Sequence, residues 1–111
     1  MKTAWTVEFL NGAVEAEFLD TPKDLQARLV RITDLIESYG LDNLGMPYVR
    51  HLQDKLWEIR GKRKSGIVRA LYVAVVGRRV IILRVFVKKT QKTPPGEIVL
   101  ALSRIKEIDH G

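Results

Sequence analysis

The chain has 111 residues, 46% hydrophobic and 29% charged, with 19 Lys plus Arg against 13 Asp plus Glu. One domain over residues 1–111, with one core and no intrinsic disorder, is what those proportions predict. The lack of cysteine excludes disulfides, thiolate metal sites and a cysteine nucleophile, and with only His51 and the distant His110 no metal or cofactor is expected.

Taken in chain order, residues 3–10 alternate Trp5, Val7 and Phe9 and read as a strand, broken by Asn11-Gly12. Residues 14–19 form a short helix carrying Val14, Phe18 and Leu19. Thr21-Pro22-Lys23-Asp24 then opens a longer one: threonine can cap, proline suits the first helical position, and the acid sits in the positive first turn. Leu25, Leu29, Ile32, Leu35, Ile36 and Tyr39 follow at helical spacing, and Gly40 ends the run. Residues 41–53 contain Gly45 and Pro47 and read as a connecting loop. Residues 56–62, 66–76 and 80–88 are strands, the last two flanking a tight turn at Gly77-Arg78-Arg79. Thr93-Pro94-Pro95 opens a last helix with Ile98, Ala101, Leu102, Ile105 and Ile108 on one face. The order β-α-α-β-β-β-α predicts an α+β fold, a small antiparallel sheet with its helices packed on one face. No apolar run approaches the twenty or so residues that span a bilayer. The N-terminus has no secretory pattern, so a cytoplasmic protein is expected.

The net charge of +6 is unevenly spread. Residues 1–55 carry six basic and nine acidic side chains, whereas residues 56–111 carry thirteen and four. Within 60–92 there are eleven Lys or Arg and no acid. A one-signed stretch of this kind attracts polyanions, with nucleic acid the favoured partner class and an acidic protein the second.

A two-residue hairpin loop at Gly77-Arg78 places Val76 opposite Arg79, Leu71 opposite Arg84 and Arg69 opposite Phe86. Val68, Ala70, Tyr72, Ala74, Ile81, Leu83, Val85 and Val87 then share the face under the helices. Arg69, Arg84, Phe86 and Lys88 share the other, with Arg60 joining from the preceding strand. Such a face suits a phosphodiester and a stacked base. A three-residue loop reverses the parity and separates Arg69 from Arg84. Phe86 reads either as core or as a stacking platform, and His51 either as a satisfied loop histidine or as a general base.

Three segments carry a resemblance. Leu56-Trp57-Glu58-Ile59-Arg60, Gly66-Ile67-Val68-Arg69-Ala70-Leu71-Tyr72, and Phe86-Val87-Lys88-Lys89-Thr90-Gln91-Lys92-Thr93-Pro94 with its following helix resemble the RelE/ParE toxin superfamily, in its phage-derived HigB-like branch. The likeness covers nearly the whole chain. It implies the toxin of a type II toxin–antitoxin system, an endoribonuclease cutting mRNA, usually in the ribosomal A site. The partners implied are a helix-turn-helix antitoxin, mRNA and the ribosome. Arg69 matches the sheet arginine that contacts the scissile phosphate, Lys88 and Lys89 match the basic pair after the last strand, and Arg60 and Lys62 match basic residues of an earlier strand. With Arg84, the residues expected to bind and stabilise the phosphate are therefore Arg69, Arg84, Lys88 and Lys89. Arg60, Lys62, Phe86 and Lys92 are expected to position RNA. Where relatives carry a tyrosine, or histidines and an acid, the chain reads Thr90-Gln91-Lys92-Thr93-Pro94-Pro95. The same resemblance allows a ParE-like toxin that binds DNA gyrase without nuclease chemistry, or a diverged phage-derived protein that only binds nucleic acid.

Overall fold

The computed structural model describes residues 4–45, 47–88 and 92–108. In chain order these form β1 (Thr6–Phe9), α1 (Gly12–Leu19), α2 (Lys23–Tyr39), β2 (Val49–Gln53), β3 (Leu56–Arg63), β4 (Gly66–Val75), β5 (Arg79–Lys88) and α3 (Pro95–Arg104). Single 3-10 turns at Leu41–Asn43 and Ile105–Glu107 follow α2 and α3. The strands make one sheet in the order β1-β5-β4-β3-β2. The α+β class holds. The sheet is mixed, because β1 runs parallel to β5, with Thr6 opposite Arg79 and Phe9 opposite Ile82.

Local chemistry sets the helix ends. Asn11 caps α1 by accepting the Val14 N–H at 3.1 Å. Thr21 does not cap α2. Its hydroxyl turns back to donate to the Phe18 carbonyl at 2.7 Å, and Pro22 occupies the capping position with no side-chain bond. Gln26 ties the corner instead, donating to the carbonyls of Leu19 and Thr21 at 3.1 and 2.8 Å. Gly40 ends α2 at φ +87°, with the Trp5 ring 3.3 Å from where a Cβ would stand, so glycine is needed there twice over.

β2 lies inside the stretch read from sequence as loop. Gly45 and Pro47 do punctuate it, but from Val49 onward the chain pairs antiparallel with β3 across a two-residue turn at Asp54-Lys55. Asp54 takes φ +51°, a conformation that sequence usually announces with glycine or asparagine.

The β4–β5 hairpin decides which side chains share a face. Val75 opposes Arg79, so the loop is Val76-Gly77-Arg78, with Gly77 and Arg78 at φ +90° and +57°. The expected pair of Val76 with Arg79 is thus replaced. The register then shifts between Leu71 and Tyr72: Tyr72 opposes Ile82 and Leu71 opposes Arg84, leaving Leu83 as the extra, bulged residue. The bulge cancels the parity change made by the longer loop. Arg69 therefore opposes Phe86 and Leu71 opposes Arg84, while Ile81 and Leu83 move to the face opposite the one expected.

Both faces are covered. Leu25, Leu29, Ile32 and Ile36 of α2 and Val14 of α1 bury Val68, Ala70, Tyr72, Val80, Ile82 and Val85. The other face carries Leu56, Leu71, Val73, Ile81, Leu83 and Phe86 against Ala101 of α3 and Ile108. The expectation of helices on one face fails for α3, because the sheet's second face is also apolar over its upper half and needs a cover. Among the described residues no helix is long and apolar enough to cross a membrane.

Candidate functional site

The register brings Arg60, Lys62, Arg69, Arg84 and Lys88 of the basic stretch, with Arg50 of β2, onto the α3 side of the sheet. Arg50, Glu58, Leu71 and Arg84 form one cross-strand row. Arg60, Arg69 and Phe86 form the next, and Lys62, Ile67 and Lys88 the third. Apolar residues under α3 give way to charge as the rows approach the β3–β4 turn.

At the centre stands Arg69, wholly buried. Its Nη1 donates to Glu58 Oε1 at 3.0 Å and to Thr93 Oγ1 at 2.9 Å. Thr93 in turn donates a short bond to the other Glu58 oxygen. Arg60 Nε lies 3.3 Å from Glu58 Oε1, so one buried carboxylate holds two guanidinium groups. Burial pushes the Arg69 guanidinium below its ordinary value and the Arg60 and Arg50 charges push the same way, while Glu58 works against them. Glu58 was not singled out from the sequence. Its signal was an acid on β3 two residues before Arg60, which in a two-residue period shares its face.

Arg84 is a tie between elements. Its Nε and Nη2 make a bidentate pair with Glu97 of α3 at 2.9 and 3.1 Å, and its Nη1 lies 3.2 Å from Glu17 of α1. The Glu97 hydrogen bond, followed by the charges of Glu17 and Glu97, raises its affinity for the proton over the opposing effect of burial. The guanidinium carbon also sits 5.6 Å from the centre of the Phe86 ring. Phe86 is 7% exposed and packed with Leu71 and Ala101, which places it in the core rather than on a stacking surface.

Glu17 has a second task. β1 ends at Phe9, so among the described residues no strand lies beside β5 beyond Ile82 on that side. Glu17 Oε1 accepts the Val85 N–H at 3.1 Å, and Arg104 donates to the Leu83 carbonyl at 2.8 Å while pairing with Glu17 at 2.9 Å. These side chains satisfy the strand edge and the bulge.

Of the cations in these rows Lys62 is exposed and Arg50, Arg60 and Lys88 are half-buried, with Lys92 exposed ahead of α3. Lys89 lies outside the described residues, as does His110. His51 lies opposite Trp57, which opposes Tyr72 of the α2-side core, so it stands on the other face. Its Nε2–H donates to the Asp54 carbonyl at 2.8 Å and its ring meets Trp57 edge-on at 5.0 Å, the satisfied-histidine alternative. No group of His, Asp and Glu suited to a metal occurs among the described residues.

The site is thus a cationic margin of a sheet face, anchored on a buried Arg–Glu–Thr cluster and bounded by the start of α3. Among curated proteins, no sequence matches this one. The family model of phage-derived Gp49-like proteins matches residues 16–106, which takes in α2, α3 and every residue of the cationic rows. The chain belongs to the phage-derived Gp49-like family, a RelE-like toxin family.

Proposed function

We propose that the chain is the toxin of a type II toxin–antitoxin pair and acts as an endoribonuclease on translated mRNA. The observation that carries this is the gathering of Arg50, Arg60, Lys62 and Lys88 on one margin of the sheet face, around buried Arg69, in a chain of a toxin family. RNA supplies its own nucleophile: the 2′-oxygen attacks the adjacent phosphorus, the bond to the 5′-oxygen breaks, and a cyclic 2′,3′-phosphate and a 5′-hydroxyl result. The 2′-proton passes to solvent or a neighbouring base, and the leaving oxygen takes one up. The protein's part is to hold the in-line geometry and neutralise charge building on the phosphorane. In this reading Arg60, Lys62 and Lys88 hold the scissile phosphate, and Lys89 and Lys92 hold its neighbours. Arg69 and Arg84 are positioning residues: the first fixes Thr93 and Arg60 through Glu58, the second fixes the start of α3 through Glu97. An acidic antitoxin segment laid over the same margin masks it and cancels its field.

The test is induced expression of the chain alone, against a Lys62→Ala/Lys88→Ala variant, with mapping of mRNA 5′ ends. Growth arrest with new codon-phased ends, both lost in the variant, is the expected result. Arrest with intact mRNA and broken DNA points to gyrase as the target instead, and the absence of arrest removes the toxin reading.

A further inference from the structure

A second cationic feature lies beside this margin. Between the start of α2, residues 47–48 and the end of β3 is a pocket of about 220 Å3, lined by Arg28, Pro47, Tyr48, Arg60, Lys62 and Ile67. Three cations and no acid form its wall. Asp24, one turn before Arg28 on the same helix, accepts the Ser65 N–H through Oδ2 at 3.3 Å, and its Oδ1 is buried with no hydrogen-bond partner among the described residues.

Arg28 is held in place by the sheet. A Cβ at Gly61 would stand 2.7 Å from Arg28 Cγ and 3.2 Å from Val68 Cγ1, so the bare backbone of β3 is what lets the arginine stem lie across it. The guanidinium is then delivered 5.6 Å from the centre of the Tyr48 ring. Its Nε is buried and has no hydrogen-bond partner among the described residues. A buried guanidinium nitrogen left unmatched is unfavourable, and an incoming acceptor relieves it. Tyr48 is also a wall of the adjoining pocket, about 420 Å3, shared with Leu35, Tyr39 and Leu44. Tyr39 is 62% exposed. Guanidinium and ammonium groups beside aromatic rings are the chemistry that binds a phosphate and its neighbouring base in a single strand.

We propose that this pocket is an accessory subsite for single-stranded RNA. Arg28, with Arg60 and Lys62, holds a phosphodiester next to the scissile one, and the adjoining base lies against Tyr48 and Tyr39. The inference rests on the nuclease reading above and extends it, since Arg60 and Lys62 belong to both places.

The probe is a fluorescein-labelled 2′-O-methyl RNA 12-mer, which binds without being cut, titrated with the purified chain over a range of salt concentrations. Arg28→Met keeps the stem that packs on Gly61 and removes the charge. It is expected to weaken binding about tenfold and to lower the slope of log affinity against log salt by about 0.7, the value for one phosphate contact on a single strand. Tyr48→Ala is expected to weaken binding about tenfold with the slope unchanged. Arg28→Lys, useful if the methionine variant melts early, is expected to keep the slope while losing affinity with the planar fork. Wild-type affinity and slope in Arg28→Met, with cleavage still lost in Lys62→Ala/Lys88→Ala, overturn the subsite and leave the nuclease reading standing. A wild-type chain that does not bind the 12-mer overturns the subsite, and the nuclease reading then stands or falls on the mRNA 5′ ends alone.

Discussion

A guanidinium with no exposed surface is stable only beside a carboxylate, and Arg69 has one in Glu58. Removing either partner strands the other. Arg69→Met is expected to destabilise the fold by about 3–5 kcal/mol, read as a lower urea midpoint, and Glu58→Leu added to it is expected to recover part of the loss. An Arg69→Ala result on toxicity therefore reports folding as well as chemistry, which is why exposed Lys62 and half-buried Lys88 are the better probes. Glu17 supplies the pH dependence. Burial pushes its carboxyl up, but the Arg104 hydrogen bond, the Val85 N–H and the Arg84 charge together outweigh that and hold it below the ordinary 4.5. A carboxyl depressed on folding stabilises the native state at pH values above 4.5, and that contribution is lost as pH falls from there through the folded value. The gap in urea midpoint between the wild type and Glu17→Gln is thus expected to be open at pH 7 and to narrow toward pH 3. Arg69 shows how much of a residue's setting is legible in sequence. A charge interrupting apolar strands marked it as special, but whether it meets a phosphate or a carboxylate depended on Glu58 and Thr93, eleven and twenty-four residues away.

At the scale of elements, periodicity located α2 and β3, apolar runs bounded by turn residues located β4 and β5, and Pro94-Pro95 marked the start of α3. β2 was hidden because its two apolar residues, Val49 and Leu52, are three apart and break the two-residue period at an irregularity, and its turn uses Asp54 rather than glycine. The hairpin illustrates a compensated error: a loop one residue longer than expected and a one-residue bulge leave Arg69, Arg84 and Phe86 on the expected face. Deleting Leu83 removes only the extra residue, leaving Arg84 opposite Leu71 and Phe86 opposite Arg69, so its expected cost is that of losing one buried leucine side chain, about 2–5 kcal/mol, read as a lower Tm with the transition still cooperative. A deletion variant that loses its cooperative transition would show that the bulge itself is required.

The whole molecule carries its excess positive charge on the second half of the chain, and the fold gathers Arg60, Lys62 and Lys88 of it at one margin. Association with a polyanion, whether RNA or an acidic antitoxin segment, is expected to slow by about tenfold or more between low and high salt, with dissociation changing far less, in stopped-flow measurements. What the sequence by itself determined was the α+β class, the boundaries of the long elements, the toxin-like motif segments and the one-signed charge. The class, the boundaries and the charge follow from local spacing and composition, and the motif segments from a family resemblance. Only the tertiary structure decided that β1 joins β5 in parallel, that α3 covers the second face, that Arg69 and Arg84 are neutralised by Glu58, Glu97 and Glu17, and that Arg28 reaches the margin over Gly61. The physical reason is that a side chain's face is set by its own strand or helix. Its solvation and counter-charge are set by whichever distant segment packs against that face.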